Sequence, residues 1–252
     1  MRPHRLPREE EATLVEHLEE LRGRILVALA AVAVATAVAF AFHDRILEWL
    51  ARPLPLEHRH LAAFGVTEPF SVSIAVSLYA GLLFALPVIL WQLWSFLAPA
   101  LDPAAERRIL VLALFGLVMG AAGLAFGYGV LLPRAVHFLT NYDTSHFKIL
   151  IRASSYYSFV VTVLLGVVLV FETPLVVLAL VNLGILSSAG LRRNRRKGYF
   201  FVAVAALALP GPDPVTTLLE LLPMWALFEG SIWLAVFAER RAAKLAVAGA
   251  QA

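Results

Sequence analysis

Ala153–Leu191 reads ASSYYSFVVTVLLGVVLVFETPLVVLALVNLGILSSAGL, and Glu172 is its only acidic or basic residue. A run of about 18 or more apolar residues has the length and character of a helix that crosses a bilayer. Working outward, Ile25–Phe42, Phe70–Leu101 and Ile109–Pro133 contain no Asp, Glu, Lys or Arg, and Gly198–Ala238 contains three acids and no base. The whole chain of 252 residues is 60% hydrophobic and 15% charged, with a mean hydropathy of +0.79. Soluble domains are about half apolar and about a quarter charged. A water-soluble fold must cover its core with polar surface, and this composition does not supply it. The blocks therefore exclude a soluble enzyme and define an all-α, polytopic membrane protein.

Six spans follow, at about 25–42, 70–98 with a kink at Pro87, 109–132, 156–186, 198–209 and 215–237. They form a single membrane domain over 1–240, with a cytoplasmic tail at 241–252. The last block splits because Pro210-Gly211-Pro212-Asp213-Pro214 cannot continue a helix. Tyr199–Leu209 then covers only roughly 17 Å, against a hydrocarbon core of roughly 30 Å. Such a helix thins the bilayer locally, or it borrows residues from the preceding Arg-rich run. The sixth span is interrupted by Pro223 and Glu229. Of the 21 Lys and Arg residues, 15 fall in segments 1–24, 99–108, 187–197 and 238–252. That bias puts both termini in the cytoplasm.

Arg192-Arg193-Asn194-Arg195-Arg196-Lys197 dominates the bias and reads as an anchor on anionic lipid rather than a nucleic-acid site. Residues 1–24 mix five arginines with six glutamates and have no apolar core, unlike a cleavable signal or a transit peptide. Cysteine is absent, which removes disulfides and thiolate chemistry. No phosphate-binding loop, serine elbow or metalloprotease pattern occurs, and no cofactor or metal is expected. His58 and His60 have no acidic cluster around them.

Polar residues inside apolar blocks carry the functional signal. Glu172 falls near the middle of the fourth span, where a carboxylate costs at least about 2.5–3.5 kcal/mol. It is either a neutral acid satisfied by a neighbouring helix or a group facing a wet cavity or partner. Thr173-Pro174 after it removes an amide donor and loosens the backbone. Glu220 and Glu229 in the sixth span lie about 2.5 turns apart and face different ways. Gly120, Gly123, Gly127 and Gly129 favour close helix packing in the third span. At the N-terminus, Thr13-x-x-Glu16 opens an amphipathic helix over 13–24. Leu14, Leu18, Leu21 and Ile25 form its apolar stripe, and Glu16, Glu20 and Arg24 share another face.

His17-Leu18-Glu19-Glu20-Leu21-Arg22-Gly23-Arg24 resembles the N-terminal signature of the TatC family, the multispanning receptor subunit of the twin-arginine protein translocase. Further blocks resemble it in the same order: Thr67-Glu68-Pro69-Phe70, Trp91–Leu101, Glu106-Arg107-Arg108, Phe171-Glu172-Thr173-Pro174, Pro210-Gly211-Pro212-Asp213 and Leu222-Pro223-Met224. The resemblance implies a concave, glove-like six-helix fold with short fifth and sixth helices. It also implies a receptor for folded proteins whose signal peptides carry an Arg pair. The acids matching Glu20 and Glu106 would recognise the pair beside Phe96, with Arg22 and Arg107 orienting them. Glu172, Asp213, Thr217, Met224 and Glu229 would form a polar, partner-binding surface for the single-span TatA and TatB proteins. Transport would then be driven by the proton gradient, in a multimeric complex of the bacterial inner membrane. Thr217 stands where family members often carry Gln, and Trp91 where Tyr is common.

Two other readings compete with this one. A proton-coupled carrier of small solutes would use Glu172 as its proton site, and inverted or parallel repeats would mark it. No convincing repeat relates 25–132 to 156–237. A structural scaffold without signal recognition would share the fold and lack binding at the Glu20–Glu106 patch.

Overall fold

The computed structural model describes residues 14–97, 106–146, 149–208 and 214–250, without the side chains of 14–15, 97, 106–109, 208 and 241–250. Thr13 and the Pro-rich turn 209–213 lie outside the described residues. The helices run in the order α1 (Leu14–Ala41), α2 (His43–Ala51), α3 (Glu68–Leu97), α4 (Glu106–Phe126), α5 (Leu132–Asn141) and α6 (Ala153–Phe171). They continue with α7 (Thr173–Asn182), α8 (Ser188–Arg193), α9 (Arg195–Ala208) and α10 (Pro214–Ala250). Among the described residues, five helical stretches are long and apolar enough to cross a membrane: Glu16–Ala41, Glu68–Phe96, Leu110–Asn141, Ala153–Asn182 and Pro214–Arg240.

Helix boundaries differ from the sequence reading in instructive ways. The amphipathic segment expected at 13–24 and the first span are one continuous helix, α1, from Leu14 to Ala41. Pro87 and Pro223 lie inside α3 and α10, and both helices continue through them. The third span is longer than 109–132, because α4 passes through a π-helical turn (Gly127–Leu131) directly into α5. The segment from 241, expected as a tail, prolongs α10 to Ala250. Helix α9 takes Arg195, Arg196 and Lys197 from the basic run, as the alternative reading had it. With 14 residues it is still only about 21 Å long, short of a roughly 30 Å core.

The described residues divide into two compact units, those within 1–41 and 77–117, and those within 42–76 and 118–252. In the first, α1 meets α3 where Gly81 has no side chain. A Cβ there would stand 2.6 Å from the Thr36 backbone nitrogen, so the two backbones touch. Small residues permit this approach, and it replaces hydrophobic burial as the source of packing in lipid. Ala85, Leu90 and Trp94 are buried along the same helix. The rest of α1 looks outward, and only 6% of its most apolar window is buried.

In the second unit α10 is the hub, packed against α7 and α9 and also against α8, α5 and α6. Ile232 and Ala235 of α10 are almost fully buried, as are Val160 and Val163 of α6 and Leu131, Leu132 and Ala135 around the π turn. Gly123 on α4 lets α6 come close: a Cβ would lie 3.0 Å from the Phe171 side chain and 3.1 Å from Val168 Cα.

Polar contacts close the loops of this unit. The Tyr128 and Tyr156 hydroxyls donate to Trp49 O and Leu50 O, each at 2.7 Å, and Tyr157 donates to Leu47 O at 3.2 Å. These carbonyls stand near the end of α2, where helical acceptors run out of partners. Trp49 and Tyr128 also stack with ring centroids 3.7 Å apart. Ala62 and Arg152 form an isolated parallel bridge, with Ala62 N–H donating to Ile151 O and Ala153 N–H to Ala62 O, both at 2.9 Å.

A Gly81→Leu substitution is expected to push α1 from α3 and cost about 1–3 kcal/mol, as overpacking does. A lower thermal midpoint in detergent is the readout; an unchanged midpoint would mean that the two backbones do not meet there.

Candidate functional site

One candidate region lies in the first unit, at the start of α1 and the end of α3. Ring stacking of His17 on Phe96, with centroids 4.5 Å apart, joins the two ends. Glu20 follows one turn later on α1 and is half-buried. Arg24, four residues on, donates to Glu20 from Nε at 3.2 Å and from Nη2 at 2.5 Å. Both bonds end on Oε1, so Oε2 has no partner among the described residues. Arg22, expected to orient the acid, is exposed and forms no ion pair among the described residues. The first turn of α4 begins with Glu106 and Arg107, in the same unit; their side chains lie outside the described residues.

The second candidate region is the break in the fourth span. Here α6 ends and α7 begins at Glu172, with φ −76° and ψ −7°. Pro174 sits in the first turn of α7, where its missing N–H costs least. The Glu172 carbonyl still accepts from Leu175 N and Val176 N at 3.0 Å, so the backbone turn is satisfied. Its side chain is not. The residue is 6% exposed, and neither carboxylate oxygen has a hydrogen-bond partner among the described residues. Buried polar groups are almost always partnered, so this carboxyl lacks the neighbouring-helix contact that one sequence reading supplied.

Other residues expected at a partner surface separate into distinct surroundings. Met224 and Glu220 of α10 line a small space of about 10 Å3 with Phe126, Val167 and Phe171, too small to admit a ligand. Thr217 is half-buried on the same helix. Glu229 looks the other way, toward α9, where Tyr199 donates to one oxygen and Arg195 Nη2 pairs with the other at 3.0 Å. It is a strut between α9 and α10. Asp213 lies outside the described residues.

Sequence reading missed two polar anchors. Glu68, 7% exposed, accepts from Phe64 N at 2.9 Å, from Ser154 N at 3.1 Å and from Arg152 Nε at 2.9 Å. That carboxylate holds the Arg152 guanidinium above its ordinary pKa. Glu239 takes the backbone N–H of Ser188 at 2.7 Å and its hydroxyl, tying the start of α8 to α10. Position in the Thr67–Phe70 block was the only signal for the first; nothing local marked the second. Among the described residues no group of three or more His, Cys, Asp or Glu could hold a metal.

Apolar helices of spanning length, a close-packed helical core and an unpartnered intramembrane acid define a multi-pass helical membrane protein built around polar sites at depth. Residues 16–223 match the family described as Sec-independent protein translocase protein (TatC). The chain is 37% identical over 232 residues to the TatCd protein of Bacillus subtilis, covering 92% of this chain and 94% of that one. It is 35% identical to a TatC of Carboxydothermus hydrogenoformans, over 89% of this chain and 93% of that one. A crystal structure of the twin arginine translocase receptor TatC superimposes with a TM-score of 0.77 at 30% identity, over 89% of this chain and 100% of the other. The chain belongs to the TatC family of Sec-independent protein translocases.

Replacing Glu172 by Leu removes a buried polar group that has no partner. In the isolated protein it is expected to raise stability by about 1–3 kcal/mol, read as a higher thermal midpoint; a fall would reveal a partner for the carboxylate.

Proposed function

We propose that this protein is the signal-receptor and core subunit of a twin-arginine translocase in a bacterial inner membrane. It binds the consecutive Arg pair of signal peptides on folded cargo at a cytoplasmic patch formed by Glu20, Phe96 and Glu106, with Arg22 and Arg107 at its edge. The observation that carries this reading is the His17–Phe96 stack, which joins the start of α1 to the end of α3 beside Glu20. The free Oε2 of Glu20 supports it, since a guanidinium needs a fixed acceptor that water has not fully claimed. Arg24 holds the carboxylate by one oxygen and leaves the other for a ligand. A planar guanidinium can take a carboxylate in a fork, whereas an ammonium presents a point charge.

The topology belongs to the same proposal. Six spans, with the short α9 as the fifth, form a concave, glove-like surface, and the uneven distribution of Lys and Arg puts both termini in the cytoplasm. The buried, unpartnered Glu172 supports a docking surface for single-span TatA-like and TatB-like proteins in a multimeric complex, together with Thr217, Met224, Glu229 and Asp213. The proton gradient drives the transport that follows.

Binding of a fluorescent Arg–Arg signal peptide and its Lys–Lys variant to the purified protein tests the receptor. The Lys–Lys peptide is expected to bind more weakly. Glu20→Ala or Glu106→Ala is expected to cost about 1.5–3 kcal/mol, roughly 10- to 150-fold in affinity, with the thermal midpoint unchanged. Equal affinity for the two peptides defeats the proposal.

A further inference from the structure

Along α10, Gly230, Trp233, Leu234, Val236, Phe237 and Arg240 line an open groove of about 430 Å3. Its apolar wall is exposed: Trp233 is 64% exposed and Phe237 66%. Trp233 and Arg240 are seven residues apart, about two turns, so they share one face of the helix. A second cation reaches the groove from α8, where the Arg192 guanidinium lies over the Trp233 ring, 5.9 Å from its centroid. Arg192 and Arg240 are exposed and form no ion pair among the described residues.

The neighbouring acids are already engaged. Glu229 is held by Tyr199 and Arg195, and both oxygens of Glu239 are held by Ser188. Two guanidiniums thus flank an aromatic groove on a spanning helix, near the start of a basic run, and neither is ion-paired among the described residues. An arginine resting on a tryptophan face keeps its charge and its outward N–H groups for an anion.

We propose that this groove binds an anionic phospholipid. An acyl chain lies against Trp233 and Phe237, and the headgroup phosphate is held by Arg240 and Arg192. A zwitterionic lipid is disfavoured because its headgroup cation would meet two guanidiniums. A free phosphate gains nothing from the exposed rings. Basic pockets beside spanning helices recognise lipid headgroups by this combination of charge and adjacent apolar surface.

The full chain is reconstituted in phosphatidylcholine nanodiscs carrying graded phosphatidylglycerol, and retained lipid is read by native mass spectrometry after release into detergent. Phosphatidylglycerol is expected to be retained over phosphatidylcholine by on the order of tenfold. R192Q/R240Q is expected to abolish that preference and R192K/R240K to keep most of it, while the charge-matched R45Q/R134Q leaves it intact. Should R192Q/R240Q fail to fold, the wild-type comparison still decides. Equal retention of the two lipids overturns the proposal, and so does a preference that survives R192Q/R240Q. Displacement of the lipid by an equal concentration of inorganic phosphate overturns it as well. Cross-links from position 233 to a single-span protein instead of to lipid would assign the groove to a partner and end the proposal.

Discussion

Hydrocarbon around a helix bundle offers no hydrogen bonds and repels nothing apolar, so hiding leucine gains little there, and an unsatisfied polar group costs much. The structure follows from that constraint. Its outer surface carries exposed Ile, Leu, Val and Phe along α1, α3, α4 and α10. What brings helices together is close backbone approach, as at Gly81 with Thr36, and polar contacts at helix ends. Ser188 with Glu239, and Tyr199 and Arg195 with Glu229, tie α8 and α9 to α10. Three tyrosine hydroxyls do the same for α2.

This economy makes the exceptions informative. Nearly every buried polar group meets a partner in a folded protein. Glu68 is a satisfied case: three donors converge on its carboxylate, and the segment before α3 is thereby locked to the start of α6. Glu172 is the opposite, buried at a helix break with neither oxygen partnered among the described residues. The same residue type is a structural fastener in one place and a buried carboxyl without such a partner in the other. Burial alone does not separate them, since Glu68 is 7% and Glu172 6% exposed; the count of donors does.

Glu20 falls between these two. Arg24 on its own helix steadies the carboxylate, a local i, i+4 pair that sequence spacing anticipates. The contact that makes this position a candidate site is not local, because His17 meets Phe96 from far along the chain. That stack exists only because α1 packs on α3, so spacing along α1 cannot reveal it.

Legibility in the sequence followed the range of the interactions. Apolar runs, the lone Glu172 in its block, the break before Pro174 and the shortness of α9 all arise within one or two turns, so composition and spacing reveal them. The uninterrupted passage of α1 from its amphipathic start into the first span was not legible, nor the continuation of the third span past Pro133 into α5. Proline's local cost is visible in a sequence, and the packing that offsets it is not. The partners of Glu68, Glu229 and Glu239, and the solitude of Glu172, depend on which helices become neighbours. One chain of residues decided that these helices live in a membrane and that Glu20 pairs with Arg24; three-dimensional packing decided the distant partners of Glu68, Glu229 and Glu239, because hydrogen bonds reach about 3 Å while those partners, Phe64 apart, lie 30 to 86 positions away.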